Sequence, residues 1–166
     1  SMSEYNIGAK IKALRSARKL TLQDVANETG FSTALISQVE NNKISPPIAT
    51  LSKIATFFDV RIGHFFSESE EDLPFEVLRS SQRTVIPRVV SRDGSVHGYF
   101  YESLSVLKQN KKMDPFLLTL NEKVTNTDTY GHNGEEFLFV LQGTAELLLD
   151  GQRILLNEGD SVYFDA

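Results

Sequence analysis

Residues Thr21 to Asn42 read TLQDVANETGFSTALISQVENN, and the rest of the chain is read outward from them. Thr21 is a good helix N-cap, and Asp24 three residues on completes a capping-box spacing. Leu22, Val25 and Ala26 give the first helix one apolar face at helical period. Gly30 then falls where a helix end wants a left-handed residue, which glycine adopts without Cβ strain. Ser32 caps the next helix. Leu35, Ile36 and Val39 turn one side of it inward, and the opposite face carries Thr33, Ala34, Ser37, Gln38 and Asn41. A merely solvated helix face usually carries Lys and Glu. This one carries short polar groups and amides, the side chains with which base edges in a major groove are read.

Upstream, the spacing predicts a helix from about Asn6 to Arg18 with Ile7, Ile11 and Leu14 inward. Downstream, a helix starts near Pro47, since proline suits a first turn and cannot sit deeper. Ile48, Leu51, Ile54, Ala55 and Phe58 form its core face, and Ile62 to Phe66 reads as a short fifth helix. His64 reads as a surface or capping histidine, because no other ligand type lies nearby. With Ile11, Leu14 and Arg15 ahead, and Pro46 and LSKIATFF behind, the run from Ile7 to Val60 resembles the Xre, or phage-repressor-like, helix-turn-helix domain. Asn42 stands where that family usually has Gly; Asn tolerates positive φ, so the turn survives.

The resemblance implies an all-α, five-helix DNA-binding domain over residues 6–66 whose partner is a double-stranded DNA operator. On this reading Gln38 bonds an adenine edge through its amide, with Thr33, Ala34 and Ser37 beside it. Ser32, Asn41 and Lys43 touch phosphate, an exposed turn lysine being the plain alternative for Lys43. Arg15 is either a phosphate contact or the partner of Glu40, and the resemblance favours Glu40.

A net charge of −5 looks wrong for such a partner until it is divided. Residues 1–66 hold eight Lys/Arg against five Asp/Glu, giving +3, and residues 67–166 give −8. The asymmetry leaves the basic part free to face phosphate. Apolar content of 40% and charge of 23% belong to an ordinary globular protein, and the absence of Cys excludes disulfides and thiolate metal sites. No apolar run reaches the length of a bilayer span and no signal-peptide pattern opens the chain, so the reading is cytoplasmic with no membrane partner.

Residues 67–82 begin with SESEED and read as an acidic linker, either a solvated tether or a mimic of DNA folded onto the basic helices. From there the period changes. Val85, Pro87 and Val89, then Gly98 to Leu107, Phe116 to Leu120, Glu136 to Leu141, Ala145 to Leu149 and Ser161 to Phe164 alternate as strands do. Asp150-Gly151 is a two-residue hairpin signal. YGHNGEEFLFVLQG (Tyr130 to Gly143) and LNEGDSVYF (Leu156 to Phe164) resemble the two motifs of the cupin family. The resemblance covers about 83–166 and implies an all-β double-stranded β-helix, or jelly-roll, barrel that reads as C-terminally incomplete. The whole chain is then α+β by domains.

In the cupin pattern, His132 and Glu136 take ligand positions and Tyr130 replaces the first histidine. The resemblance implies a third ligand beyond Ala166, completing a site for Fe, Mn or Zn. The alternative is a sensor pocket in which Tyr130, His132 and Glu136 bind a small-molecule effector by hydrogen bonds, with no metal. Two functions follow. One is a repressor-like transcriptional regulator whose cupin domain makes a homodimer and senses the effector. The other is a mononuclear non-haem iron enzyme resembling hydroxypropylphosphonate epoxidase, whose helical domain does not bind DNA.

Overall fold

The computed structural model describes residues 5–68, 71–86, 99–120 and 134–166. Helix α1 spans Ile7–Ala17, α2 Leu22–Thr29, α3 Thr33–Glu40 and α4 Ile48–Phe57. Their ends sit where the side chains set them. Thr21 Oγ accepts from the Asp24 N–H at 3.1 Å while Asp24 accepts from the Thr21 N–H at 2.7 Å, a closed capping box. Gly30 ends α2 at φ 76°, a backbone that a Cβ would strain. Ser32 Oγ accepts from the Leu35 N–H at 3.1 Å and opens α3.

Asn42, at φ 55°, closes α3, and the Lys43 N–H reaches back to the Gln38 carbonyl at 2.9 Å. That is the 6→1 bond of a Schellman end. The Asn42 side chain has a further use. Its Oδ1 accepts from the Gly8 N–H at 3.2 Å, tying the start of α1 to the end of α3. A Cβ at Gly8 would run into the Val39 and Glu40 carbonyl oxygens, so only glycine lets the two helices approach this closely. Asparagine here is more than a tolerated glycine substitute, because glycine would lose that acceptor.

The fifth helix expected at Ile62–Phe66 is a 3-10 turn instead, closed by the His64 N–H to the Arg61 carbonyl at 2.9 Å. Five residues with Gly63 inside them cannot offset the cost of nucleating an α-helix, and short i→i+3 runs are the usual outcome at such an end. Four α-helices therefore stand among the described residues. A second 3-10 turn, Ser80–Gln82, was not legible in the chain.

Strands β1 (Val85–Ile86), β2 (Tyr99–Ser103) and β3 (Phe116–Leu120) form an antiparallel sheet with β2 in the middle. Ile86 and Leu118 flank Tyr101 in register. This sheet shares one core with the helices. Ile7, Ile11, Ile36, Val39, Leu51, Ile54, Phe58 and Phe66 are buried in the same cluster as Ile86, Tyr101 and Val106. Glu68 and Glu76 are likewise held, the Glu68 N–H donating to the Val106 carbonyl at 2.8 Å. Glu76 accepts from the N–H groups of Val106, Leu107 and Lys108 and from the Ser105 hydroxyl.

The chain divides into two compact units, Ser1–Tyr130 and Gly131–Ala166. In the second, β4 (Glu135–Phe139) pairs antiparallel with β7 (Ser161–Asp165), and β5 (Ala145–Leu149) with β6 (Gln152–Leu156). The β5–β6 turn has Asp150 at φ 48° and Gly151 at φ 74°, the two positive values of a type I′ hairpin. Gly159 and Asp160 extend the β4–β7 pairing, since the Gly159 N–H donates to Val140 and the Val140 N–H to Asp160. Among the described residues the strands pair as this three-stranded sheet and two pairs, without the closure of a barrel.

Candidate nucleic-acid interface

Helix α3 is amphipathic in an unusual sense. Leu35, Ile36 and Val39 are buried, and the same inward side ends in Glu40, whose side chain is 2% exposed. An ionised carboxylate there needs a partner. Arg15 on α1 supplies it, its Nε standing 2.9 and 3.1 Å from the two carboxylate oxygens. The same guanidinium donates from Nη1 to the Leu20 carbonyl at 2.9 Å. Of the two readings for Arg15, the structure bears out the ion pair. The arrangement also removes the one negative charge of α3 from its outer side.

The outer side carries the expected residues. Ser32, Ala34, Gln38, Asn41 and Lys43 are exposed, and Thr33 and Ser37 half-buried. They differ in freedom. The Ser32 hydroxyl is engaged as a cap, and Asn41 Nδ2 turns back to the Ser37 carbonyl at 2.8 Å. Gln38 has no side-chain hydrogen bond among the described residues, so both ends of its amide are available. Lys43 spends its backbone N–H on the helix end and keeps its ammonium outside.

Neighbouring side chains stiffen the frame. The Arg18 guanidinium donates to the Phe58 carbonyl and lies 5.3 Å from the Phe58 ring centroid, joining the ends of α1 and α4. The Lys53 ammonium sits 5.3 Å from the Phe31 ring. His64 is exposed with its ring edge-on to Phe65. Partial desolvation of the ring against its neighbours, followed by the Lys10 charge, lowers its pKa.

The second expected site is only partly covered. Tyr130 and His132 lie outside the described residues. Glu136 is on β4, opposite Phe164, on the half-buried face that also carries Leu138 and Val162. Among the described residues no three His, Cys, Asp or Glu side chains gather as a metal site. Glu136, among these apolar neighbours, is not by itself a donor set for a metal. No helix among the described residues is long and apolar enough to cross a membrane.

Asn42 does more than tolerate a positive φ, and neither Gly8 nor Tyr101 is singled out by the sequence reading. The Tyr101 hydroxyl donates to the Pro46 carbonyl, in the segment between α3 and α4, at 3.0 Å. Gly8 had a local signal, being a poor helix former beside Ile7 and Ile11 in a helix. Tyr101 had none, since its partner is 55 residues away.

Comparison with known proteins agrees with this organisation. A helix-turn-helix family model matches residues 11–65, and a cupin domain model matches residues 116–166. The HTH-type transcriptional regulator SutR of Escherichia coli (strain K12) is 28% identical over 160 residues, spanning 96% of this chain and 82% of that protein. An uncharacterized HTH-type transcriptional regulator of Methanocaldococcus jannaschii, MJ0272, is 33% identical over 63 residues, 38% of this chain and 96% of that protein. The crystal structure of a transcriptional regulator from Vibrio cholerae superposes with a TM-score of 0.65 at 27% identity, covering 96% of this chain and 83% of that one.

Proposed function

The chain belongs to the helix-turn-helix transcriptional regulators, with an Xre-like DNA-binding domain ahead of a cupin domain, and on that premise we propose how it reads DNA and what its second half does. Residues 6–66 present α3 to a major groove. Gln38 reads an adenine edge, Thr33, Ala34 and Ser37 pack beside it, and Ser32, Asn41 and Lys43 meet phosphate. The observation that carries this is the outer side of α3, which is short, polar and uncharged and holds one unengaged amide. Two chains dock their α3 helices in successive major grooves, about 34 Å apart. The cupin region, within 83–166, makes the homodimer and holds a small-molecule effector near Tyr130, His132 and Glu136, and residues 67–82 connect it to the helices. Effector binding shifts operator affinity by as much as its own affinity differs between the two states.

The test begins with a duplex selected by the full chain from random DNA. Gln38→Ala should weaken binding to that duplex by about 1–3 kcal/mol and leave scrambled DNA unaffected. Equal losses on both, or no loss on either, overturn the base-reading assignment. A purified chain carrying stoichiometric iron and ignoring every duplex points to the enzyme reading instead.

A further inference from the structure

We propose that Tyr101, on the central strand of the β1–β3 sheet, is a positioning residue for DNA reading, because it fixes the α3–α4 segment that carries Lys43. The inference rests on the DNA-binding function proposed above and adds a residue from outside the helices. Residues 43–47 leave α3 through the Lys43 N–H to Gln38 carbonyl bond and enter α4 through the Leu51 N–H to Pro47 carbonyl bond. Between those two anchors stand Pro46 and Pro47, neither of which has an N–H to donate. The Pro46 carbonyl is instead held from the sheet by the Tyr101 hydroxyl at 3.0 Å, a buried bond.

The donor is rigid. Tyr101 is fully buried, with its ring edge-on to Phe116 at 5.9 Å and to Phe66 at 6.2 Å. Ile86 and Leu118 fix its strand on either side. Burial, with the nearby Tyr99 and Tyr5, raises the phenol well above its ordinary range, so it stays a neutral donor. A buried carbonyl that loses its donor must move toward another. The movement available here is of the segment three residues past Lys43. The strand that carries Tyr101 pairs with β3, which lies in the stretch matched by the cupin model.

The experiment measures binding of the full chain to its selected duplex across a salt series. Tyr101→Phe keeps the ring and removes the bond. It should lower affinity about 3- to 10-fold and flatten the plot of log K against log salt by about 0.9, the loss of one phosphate contact. Lys43→Ala should do the same, and Tyr101→Phe should cost nothing further in the Lys43→Ala background. Tyr5→Phe, which removes a neighbouring hydroxyl that bonds the Thr84 carbonyl instead of Pro46, should leave affinity and slope unchanged. Unchanged binding by Tyr101→Phe, additive losses with an unchanged slope, or an equal loss by Tyr5→Phe each overturn the proposal. If the wild-type chain selects no duplex at all, the DNA-binding reading itself fails, and the positioning role with it.

Discussion

At the scale of single residues, the decisive pair is Arg15 and Glu40. A carboxylate with 2% side-chain exposure on the inner side of α3 costs far more unpaired than the pair contributes net. Glu40→Gln keeps the shape and leaves the largely buried Arg15 guanidinium without its countercharge. It should destabilise the full chain by about 3 kcal/mol in urea unfolding, and Arg15→Met with Glu40→Leu should recover most of that. A change within about 0.5 kcal/mol for Glu40→Gln would show the pair to be incidental. The pairing also explains why this acid does not oppose phosphate. It is consumed internally, so what α3 presents outward is Gln38 and its small neighbours.

At the scale of elements, the segment after the helices is tied down by one carboxylate. Burial raises the Glu76 pKa, but the hydrogen bonds from Ser105, Lys108, Leu107 and Val106 outweigh it, and the net shift is downward. A depressed folded-state value means stability that is present above the unfolded value near 4.5 and lost as pH falls through the folded one. Glu76→Gln should therefore unfold more easily at pH 7, by about 1 kcal/mol, since solvent screens this half-exposed site. Its gap from wild type should close as pH falls below 4.5 in urea titrations. A gap constant from neutral to acid pH would mean that the charge plays no part. This latch shows where sequence reading ran out. Capping by Thr21 and Ser32, the Gly30 stop and the Asp150-Gly151 hairpin were legible because each is decided within a few residues. The outer side of α3 was legible for the same reason. Glu76 on the 105–108 loop and Tyr101 on Pro46 join residues 30 and 55 positions or so apart, and no local pattern announces them. The fifth helix failed differently, since apolar spacing over Ile62–Phe66 cannot distinguish one α-turn from a 3-10 turn.

At the scale of the molecule, a single recognition helix is too small a reader for a useful operator, and the proposed function calls for two chains. On that proposal the second chain's contact falls within residues 67–166, since the +3 half would face phosphate. Within that half, the β4–β7 pair has two unlike faces. Leu138, Val162 and Phe164 are half-buried with Glu136, whereas Phe137 and Tyr163 face each other in register at 61% and 62% exposure. Phe139 at 52% continues that outer face. Among the described residues, three large aromatic side chains left outside on one sheet face are unfavourable in a lone chain and favourable against a copy of themselves. The full chain should therefore sediment as a dimer at micromolar concentration. Phe137→Asp, which places a charge in the centre of that face, should shift it to monomer. Its affinity for a two-half-site duplex should fall at least about 100-fold, while binding to a single half-site is unchanged. A wild-type monomer would remove the premise. A Phe137→Asp protein that remains dimeric would move the seam elsewhere, and one that becomes monomeric yet keeps full affinity would show that the two recognition helices do not act as a pair.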